Sequence, residues 1–582
     1  MNRGEFPPVN LRQYALIADG ERGALCGPHG ELVWLCAPRW HDDAIFSTLI
    51  GGNGVYAVSP DARCVWGGHY EPGTLIWRNR WVTVDNRVVE CRDALALPAK
   101  QRSMVILRRV EAIEGASKMR VLLDVRAGFG VASMRELRRH DDGTWTARSG
   151  TLHLRWTGAG QAEVDADGRL VLRLSVPDGG CHDLVLEISD RRLPVAVVQP
   201  TRAWAATQQE WRSAVPDFPG SAAPRDTRHA YAVLRGLTTS GGGMVAAATM
   251  SLPERADTGR NYDYRYVWMR DQCYAGLAVA SDGPHQLLHD AVRFVAERLL
   301  GDGDQVKPVY LTGGGRVPDE ESLDLEGYPG GTDVRGNWVN DQFQLDSVGE
   351  TLQLFAAAAR HDALDRDGWR AAQRAVTAIA KHWQEPDAGI WELGPGWWTH
   401  SRLSCVAGLG RLAPYAPRVE ARRMRELGAG LLAETTRRCV HPEGHWQRSP
   451  DDQRVDAALL LPPVRGALPA DDPRTVATLD AVRRDLIDDG YVYRYAPVGR
   501  PLGQAEGAFL LCGFVLALAE HQQGDEVNAF RRFERNRAAC GPPGLLSEEF
   551  DVEQRQLRGN LPQAFVHALL LETSVRLAAP RR

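Results

Sequence analysis

Residues 201–224, TRAWAATQQEWRSAVPDFPGSAAP, divide this 582-residue sequence in two. The first part reads as a single helix. The rest, VPDFPGSAAP, is proline-punctuated and stops it, because proline lacks the amide hydrogen a helix interior needs. Upstream, LVWLCAP (32–38), TLIWRNRWVTV (74–84), MVILRRVEAI (104–113), TLHLRWTG (151–158), RLVLRLSV (169–176) and HDLVLEISD (182–190) are short, β-branched and aromatic. Gly, Asp, Asn and Pro turns separate them at the spacing of an antiparallel sandwich. Downstream the apolar period lengthens. Residues 284–300, 340–361, 367–384, 418–439 and 472–486 place apolar side chains at i, i+3, i+4 and i+7, the pattern of one helix face. About a dozen helices are expected, enough for antiparallel pairs to close into a barrel of six hairpins. The expected division is a β-sandwich over 1–198, a linker helix and Pro-rich linker over 199–226, and a helical catalytic domain over 227–582.

Composition narrows the function. With 44% hydrophobic and 25% charged residues the chain is an ordinary globular one, too long for a single core. A formal charge of −5 gives no electrostatic case for nucleic acid or an anionic membrane. The run 507–519, GAFLLCGFVLALA, is too short to span a bilayer and reads as a core helix. Ten cysteines without a CxxC, and a first stretch without a secretory apolar region, give a cytoplasmic protein with reduced thiols as the expectation. No metal or cofactor motif is found, so none of either is expected; GGNG (51–54) and GGG (241–243) read as turns. Tryptophan is over-used, at 17 against 14 Tyr and 13 Phe. Flat apolar faces that stack on sugars or bases explain this as well as a large core does.

Four downstream segments gather charge and aromatics beside glycine, as polar pockets do: 261–271 (NYDYRYVWMRD), 335–346 (RGNWVNDQFQLD), 389–400 (GIWELGPGWWTH) and 544–563 (GLLSEEFDVEQRQLRGNLPQ). Singly each has a plain reading. Arg270–Asp271 forms an intrahelical pair, Glu392 is a solvated loop acid, and Glu548–Glu549 are first-turn acids favoured by the helix dipole. His400 and His567 read as scaffold histidines.

Taken in order, the segments resemble the glucoamylase-like family of glycoside hydrolases, which contains glucoamylases, glucodextranases and bacterial trehalases. The resemblance begins with residues 14–52 and continues through SLPERADTGRNYDYRYVWMRD (251–271), DGYVYRY (489–495), AEGAFLLCGF (505–514), LLSEEFD (545–551) and GNLPQAFVHALL (559–570). It implies an N-terminal antiparallel β-sandwich (a supersandwich) followed by an all-α (α/α)6 barrel. It also assigns roles. Glu392 matches the general acid and Glu548 the general base. Arg270 and Asp271 match the pair that grips the non-reducing glucose, with Trp268, Trp391 and Arg494 lining the same subsite. Arg335 joins the substrate-binding set, while Gln342, Asp346 and Glu506 lie in family-like motifs as support or contact.

The chemistry suits two carboxyl groups. An inverting glycosidase protonates the leaving oxygen with one and activates water with the other, at a separation of roughly 6.5–9.5 Å. The acid wants a low-dielectric wall, expected here from Trp391, Trp397 and Trp398; the base wants a polar setting that keeps it ionised, with Glu549 pointing away. Where starch-active members carry a second acid after the general acid, this chain has Leu393. The main expectation is an inverting exo-α-glucosidase releasing β-D-glucose from small α-glucosides, α-1,6 such as isomaltose or α-1,4. The alternatives are an α,α-trehalase of the same family, a disaccharide phosphorylase, and an inactive carbohydrate-binding protein. The expected partner is a small α-glucoside, with a homo-oligomer allowed by the sequence.

Overall fold

The computed structural model describes residues 5–254 and 261–579; the segment 255–260 inside SLPERADTGRNYDYRYVWMRD and the ends of the expected 1–198 and 227–582 domains lie outside the described residues. The first part of the chain forms two eight-stranded antiparallel sheets. One runs in the spatial order Ala15–Ala18, Gly23–Cys26, Glu31–Cys36, Val55–Pro60, Ser117–Asp124, Leu170–Val176, Glu163–Val164, with Ala44–Phe46 paired beside the third strand. The other runs Arg135–Arg139, Trp145–Ser149, Leu152–Thr157, Cys181–Ser189, Ser103–Glu114, Val88–Leu95, Trp77–Thr83, Cys64–Tyr70.

The strands between residues 15 and 36 are buried along their whole length, and alternation explains how. Ala15, Ile17, Ala24, Leu32 and Leu35 enter the core between the two sheets. Their neighbours Leu16, Ala18, Leu25 and Trp34 point the other way and join the core of the helical part, and a bulge in the third strand lets Val33 join them. Successive side chains of a strand face opposite sides, so a sheet covered on both faces reads as a continuous apolar run.

Helix α1, Pro200–Ala214, begins with proline at a position where the missing amide costs nothing. It lies against the second sheet, with Arg92 over the Trp204 ring at 4.2 Å. The next helix, α2 (Pro224–Leu237), again starts on proline, ahead of the expected 227: the last residue of the Pro-rich stretch opens the helical part and does not close the linker.

Among the described residues eleven further α-helices follow: α3 (Met269–Ala280), α4 (Gln286–Asp302), α5 (Leu345–Arg360), α6 (Arg366–His382), α7 (Thr399–Leu412), α8 (Arg418–Cys439), α9 (Leu461–Val464), α10 (Pro473–Asp485), α11 (Leu510–Gln522), α12 (Glu526–Arg537) and α13 (Ala564–Ala578). They alternate between two rings. Helices α3, α5, α7, α9, α11 and α13 each touch the next, and α13 closes on α3. Helices α2, α4, α6, α8, α10 and α12 pack outside them. The result is an (α/α)6 barrel. Burial follows the ring: α11, the run read as a core helix, is buried from Leu510 to His521, whereas α6 buries only a stripe of Gly368, Ala371, Ala372, Ala375, Ala378 and Ile379. The tightest crossing is α5 on α7. A Cβ on Gly349 would lie 2.6 Å from the Cys405 amide nitrogen, and one on Gly408 2.5 Å from the Gly349 carbonyl, so both positions need glycine. Among the described residues no helix is long and apolar enough to cross a membrane.

Candidate active site

The amino ends of the inner helices open at one end of the barrel, and the loops entering them build a pocket there. Arg270 is the second residue of α3, Ile390–Leu393 belong to the loop before α7, Phe509 immediately precedes α11, and Phe565 is the second residue of α13. Together with Glu254, Tyr262, Tyr264, Trp338, Arg494 and Glu548 they line a cavity of about 710 Å³, open to solvent.

One side of the pocket is organised around Glu392. The Trp268 indole N–H donates to its Oε1 at 2.6 Å and the Gln344 amide at 3.1 Å, while an Arg270 terminal nitrogen lies 3.6 Å away. Arg270 is itself fixed by the Ile390 carbonyl, at 2.9 Å. The backbone of Glu392 has φ 55°, in the left-handed region that non-glycine residues seldom occupy and that clusters at functional sites. Trp391 is pinned by its indole N–H to the Asp456 carboxylate at 3.0 Å, with Phe509 edge-on at 5.3 Å.

The other side is acidic. Glu548 is buried and accepts from the Tyr264 hydroxyl at 3.0 Å; the same hydroxyl lies 3.5 Å from Glu254. Burial, then the neighbouring Glu254 charge, push the Glu548 carboxyl well above the usual range, against the pull of Arg494 and Tyr264. This departs from the expectation of a setting that keeps the residue ionised. Glu549 is not on the pocket wall, as strand alternation from Glu548 requires; it is fully buried, accepts the Gly507 amide at 2.7 Å, and lies 3.9 Å from Arg494. Arg494 pairs with Glu506 through two nitrogens and covers the Phe509 ring at 4.0 Å. The segment carrying Glu548 is tied down on both sides: the Leu510 amide donates to the Glu548 carbonyl at 3.1 Å, and the Leu546 amide donates to His567 Nε2 at 3.1 Å. His567 is therefore scaffold. Burial lowers its pKa to about 3, which keeps that nitrogen an acceptor.

Tyr264 and Trp268 connect the two sides. Their rings meet edge to face at 5.4 Å, one bonded to Glu548 and the other to Glu392. The whole segment is braced from the sheet domain: Arg265, fully buried, pairs with Asp263 at 2.7 Å and donates to the Asp42 carbonyl at 2.9 Å, and the Trp34 indole donates to the Ala248 carbonyl at 2.8 Å.

Of the residues singled out in the sequence, Arg270, Trp391, Glu392, Arg494 and Glu548 share this pocket. Trp268 reaches it through Glu392. Asp271 lies behind Arg270, 3.5 Å from its Nε, buried, with burial pushing its carboxyl up to about 7. Gln342 accepts from Gln344, which carries it one step from Glu392. Arg335 is elsewhere: it pairs with Asp43 at 2.8 Å and Glu321 at 2.7 Å on a short hairpin, because the strand 334–335 turns its guanidinium towards the sheet domain. Trp397 and Trp398 are not the wall of Glu392. Trp397 is sandwiched between Arg402 and Arg438, and Trp398 packs on Gly389 and Gly396 as α7 begins. Tyr264, Glu254 and Gln344 were not anticipated from the sequence. Tyr264 had a signal, since residues 262, 264, 266 and 268 of an extended segment share one side.

Away from the pocket, His441, Glu443 and His445 bring potential metal-ligating atoms within 4.8 Å of one another, a grouping the sequence reading did not foresee. His441 Nδ1 already accepts the Glu443 amide at 3.1 Å, and Arg484 lies 3.7 Å from the Glu443 carboxylate.

A sandwich-plus-barrel chain with two acidic walls and a guanidinium facing one sugar-sized pocket is a glycoside hydrolase. It belongs to Glycosyl hydrolases family 15, whose profile matches residues 228–575, while residues 4–189 match the segment described as trehalase-like, N-terminal. It is similar to a trehalase of Mycobacterium tuberculosis, 29% identical over 99% of this chain and 90% of that protein. It is also similar to an isomaltose glucohydrolase of Kribbella flavida, 27% identical over 59% of this chain and 83% of that one. In structure it resembles a bacterial glucoamylase complexed with acarbose, with a TM-score of 0.73 and 14% identity over 99% of this chain and 95% of that one; this likeness concerns the fold.

Proposed function

We propose that the protein is an inverting α,α-trehalase, with Glu392 as general acid and Glu548 as general base. The observation that carries the choice of substrate is the extent of the likeness to the mycobacterial trehalase, which covers 99% of this chain, sheet domain included, against 59% for the isomaltose enzyme. Leu393 supports it, because a carboxylate there would serve the acceptor sugar of a maltodextrin and leucine offers no such contact.

In this reading one glucose unit sits against Arg270 and Trp391, whose guanidinium and flat ring select an unsubstituted ring by charge-assisted bonds and stacking. Glu392, held by Trp268 and Gln344, delivers its proton to the glycosidic oxygen. Water attacks the anomeric carbon from the opposite face as that bond breaks, and its proton passes to Glu548. Tyr264 holds the Glu548 carboxylate in place. Asp271 acts on the sugar through Arg270.

The test is a substrate panel of trehalose, isomaltose, maltose and panose, with proton NMR of the first products. Inversion on trehalose yields one β- and one α-glucose per turnover, since only the attacked carbon changes configuration. Release of α-glucose alone would overturn the mechanism, and a clear preference for isomaltose would overturn the substrate.

A further inference from the structure

The far end of the barrel carries a second and larger cavity, about 1,920 Å³ and open to solvent, where the inner helices finish. Four guanidiniums line it, those of Arg360, Arg411, Arg465 and Arg576, against one carboxylate, Glu572. That carboxylate is committed. Arg465 grips both its oxygens and Arg576 reaches Oε1 at 3.0 Å, which together hold Glu572 down to about 2. Arg360 and Arg411 form no ion pair among the described residues. Arg411 donates to the Arg465 carbonyl at 3.4 Å. Burial first, and then the charges of Arg465, Arg576 and Arg360, push its guanidinium down to about 10, with Glu572 offsetting them only in part.

Part of this charge answers helix geometry. Arg360, Arg411 and Arg576 each stand in the last turn of an inner helix, where the carbonyl ends favour a cation. Each helix end offers only about half an elementary charge, and its effect fades within a turn. Four guanidiniums converging on one void exceed that need. Leu277, Ala356, Pro414 and Leu468 add apolar surface to the same lining.

We infer that this rear cavity is a binding site for a phosphate-type oxyanion, with Arg411 and Arg360 as its principal ligands. The planar guanidinium fork matches the oxygens of such an anion, and the anion supplies the counter-charge Arg411 lacks. The shared chemistry covers free phosphate and the phosphate group of a small organic ester, whose carbon skeleton would meet that apolar surface.

Calorimetric titration of the full chain at low ionic strength, with inorganic phosphate and with glycerol 3-phosphate, tests this. Expected is saturable binding of one anion per chain, weakened at least about tenfold in Arg411→Met, the effect of losing a charge-assisted contact. Glycoside hydrolysis by that variant should stay at the wild-type rate. Arg360→Gln, at an exposed position, provides the same test should Arg411→Met fold poorly. Equal affinity for both ligands identifies the phosphate itself as the ligand; tighter binding of the ester identifies an organic phosphate. No saturable binding of either, or wild-type affinity in both variants, would overturn the site.

Discussion

Buried charge is handled in opposite ways at two places in this molecule, inside the sandwich and beneath the barrel pocket. In the sandwich Arg108 and Asp93 are both completely buried, joined at 2.8 Å and 3.2 Å, and two further guanidinium hydrogens are taken by the Tyr56 and Gly30 carbonyls at 2.8 Å and 2.6 Å. Arg155 and Glu187 repeat the pattern at 2.6 Å and 2.7 Å. Beneath the barrel pocket, Asp271, Asp346 and Glu350 are equally buried, yet neither oxygen of Asp346 takes a hydrogen bond from another described residue. Burial holds all three near 7. Buried charge that is fully bonded serves to fix a fold; buried charge left short of partners is what a reactive site collects.

The contrast can be broken at several places. The largest effect belongs to the pocket carboxylates. Glu392→Gln and Glu548→Gln should each lower kcat by roughly 10²–10⁴-fold while the thermal unfolding curve stays in place. Substantial hydrolysis by either variant would remove that residue from the mechanism. Next comes the sandwich pair. Asp93→Asn strands the Arg108 charge, a loss of about 3–5 kcal/mol, read as a shift in denaturant midpoint with kcat per folded molecule unchanged.

A smaller effect separates the two halves by pH. For Asp346 the folded pKa is raised, so its contribution to stability is complete in the ordinary carboxylate range and is lost as pH rises through about 7. Asp346→Asn should flatten that part of the stability profile; an unchanged profile would mean that the carboxyl is already paired in solution. The smallest expected change is in Glu254→Gln. Glu254 is the second cause of the raised Glu548 pKa, after burial. Its removal should move the acid limb of kcat/KM to lower pH without abolishing turnover, and a fixed limb would show that the two carboxyls do not sense each other.

The division of the chain was legible because period-two and period-3.6 patterns depend on sequence alone, and one helical stretch with prolines separates them. The pocket was legible through the resemblance: Arg270, Trp391, Glu392, Arg494 and Glu548, which it singles out, line one cavity, and Glu549 stays off its wall. It was misread at Trp397 and Trp398. Closeness in sequence to Glu392 says nothing of direction once a left-handed residue and the start of α7 intervene. Glu254 and Gln344 stayed hidden for a different reason. Each acts across the fold, on residues 548 and 392, and no local pattern reports a contact of that range. Arg335 sits beside glycine in a charged, aromatic segment, but its partner Asp43 is in the other half of the chain.

The brace built by Arg265 and Trp34 bears on modularity. The strip that carries Tyr264 and Trp268 takes part of its shape from carbonyls and side chains near residues 34–42, far upstream in sequence. A hybrid joining this helical half to a relative's sheets keeps this brace only if the residues at 34, 42, 248 and 265 travel together.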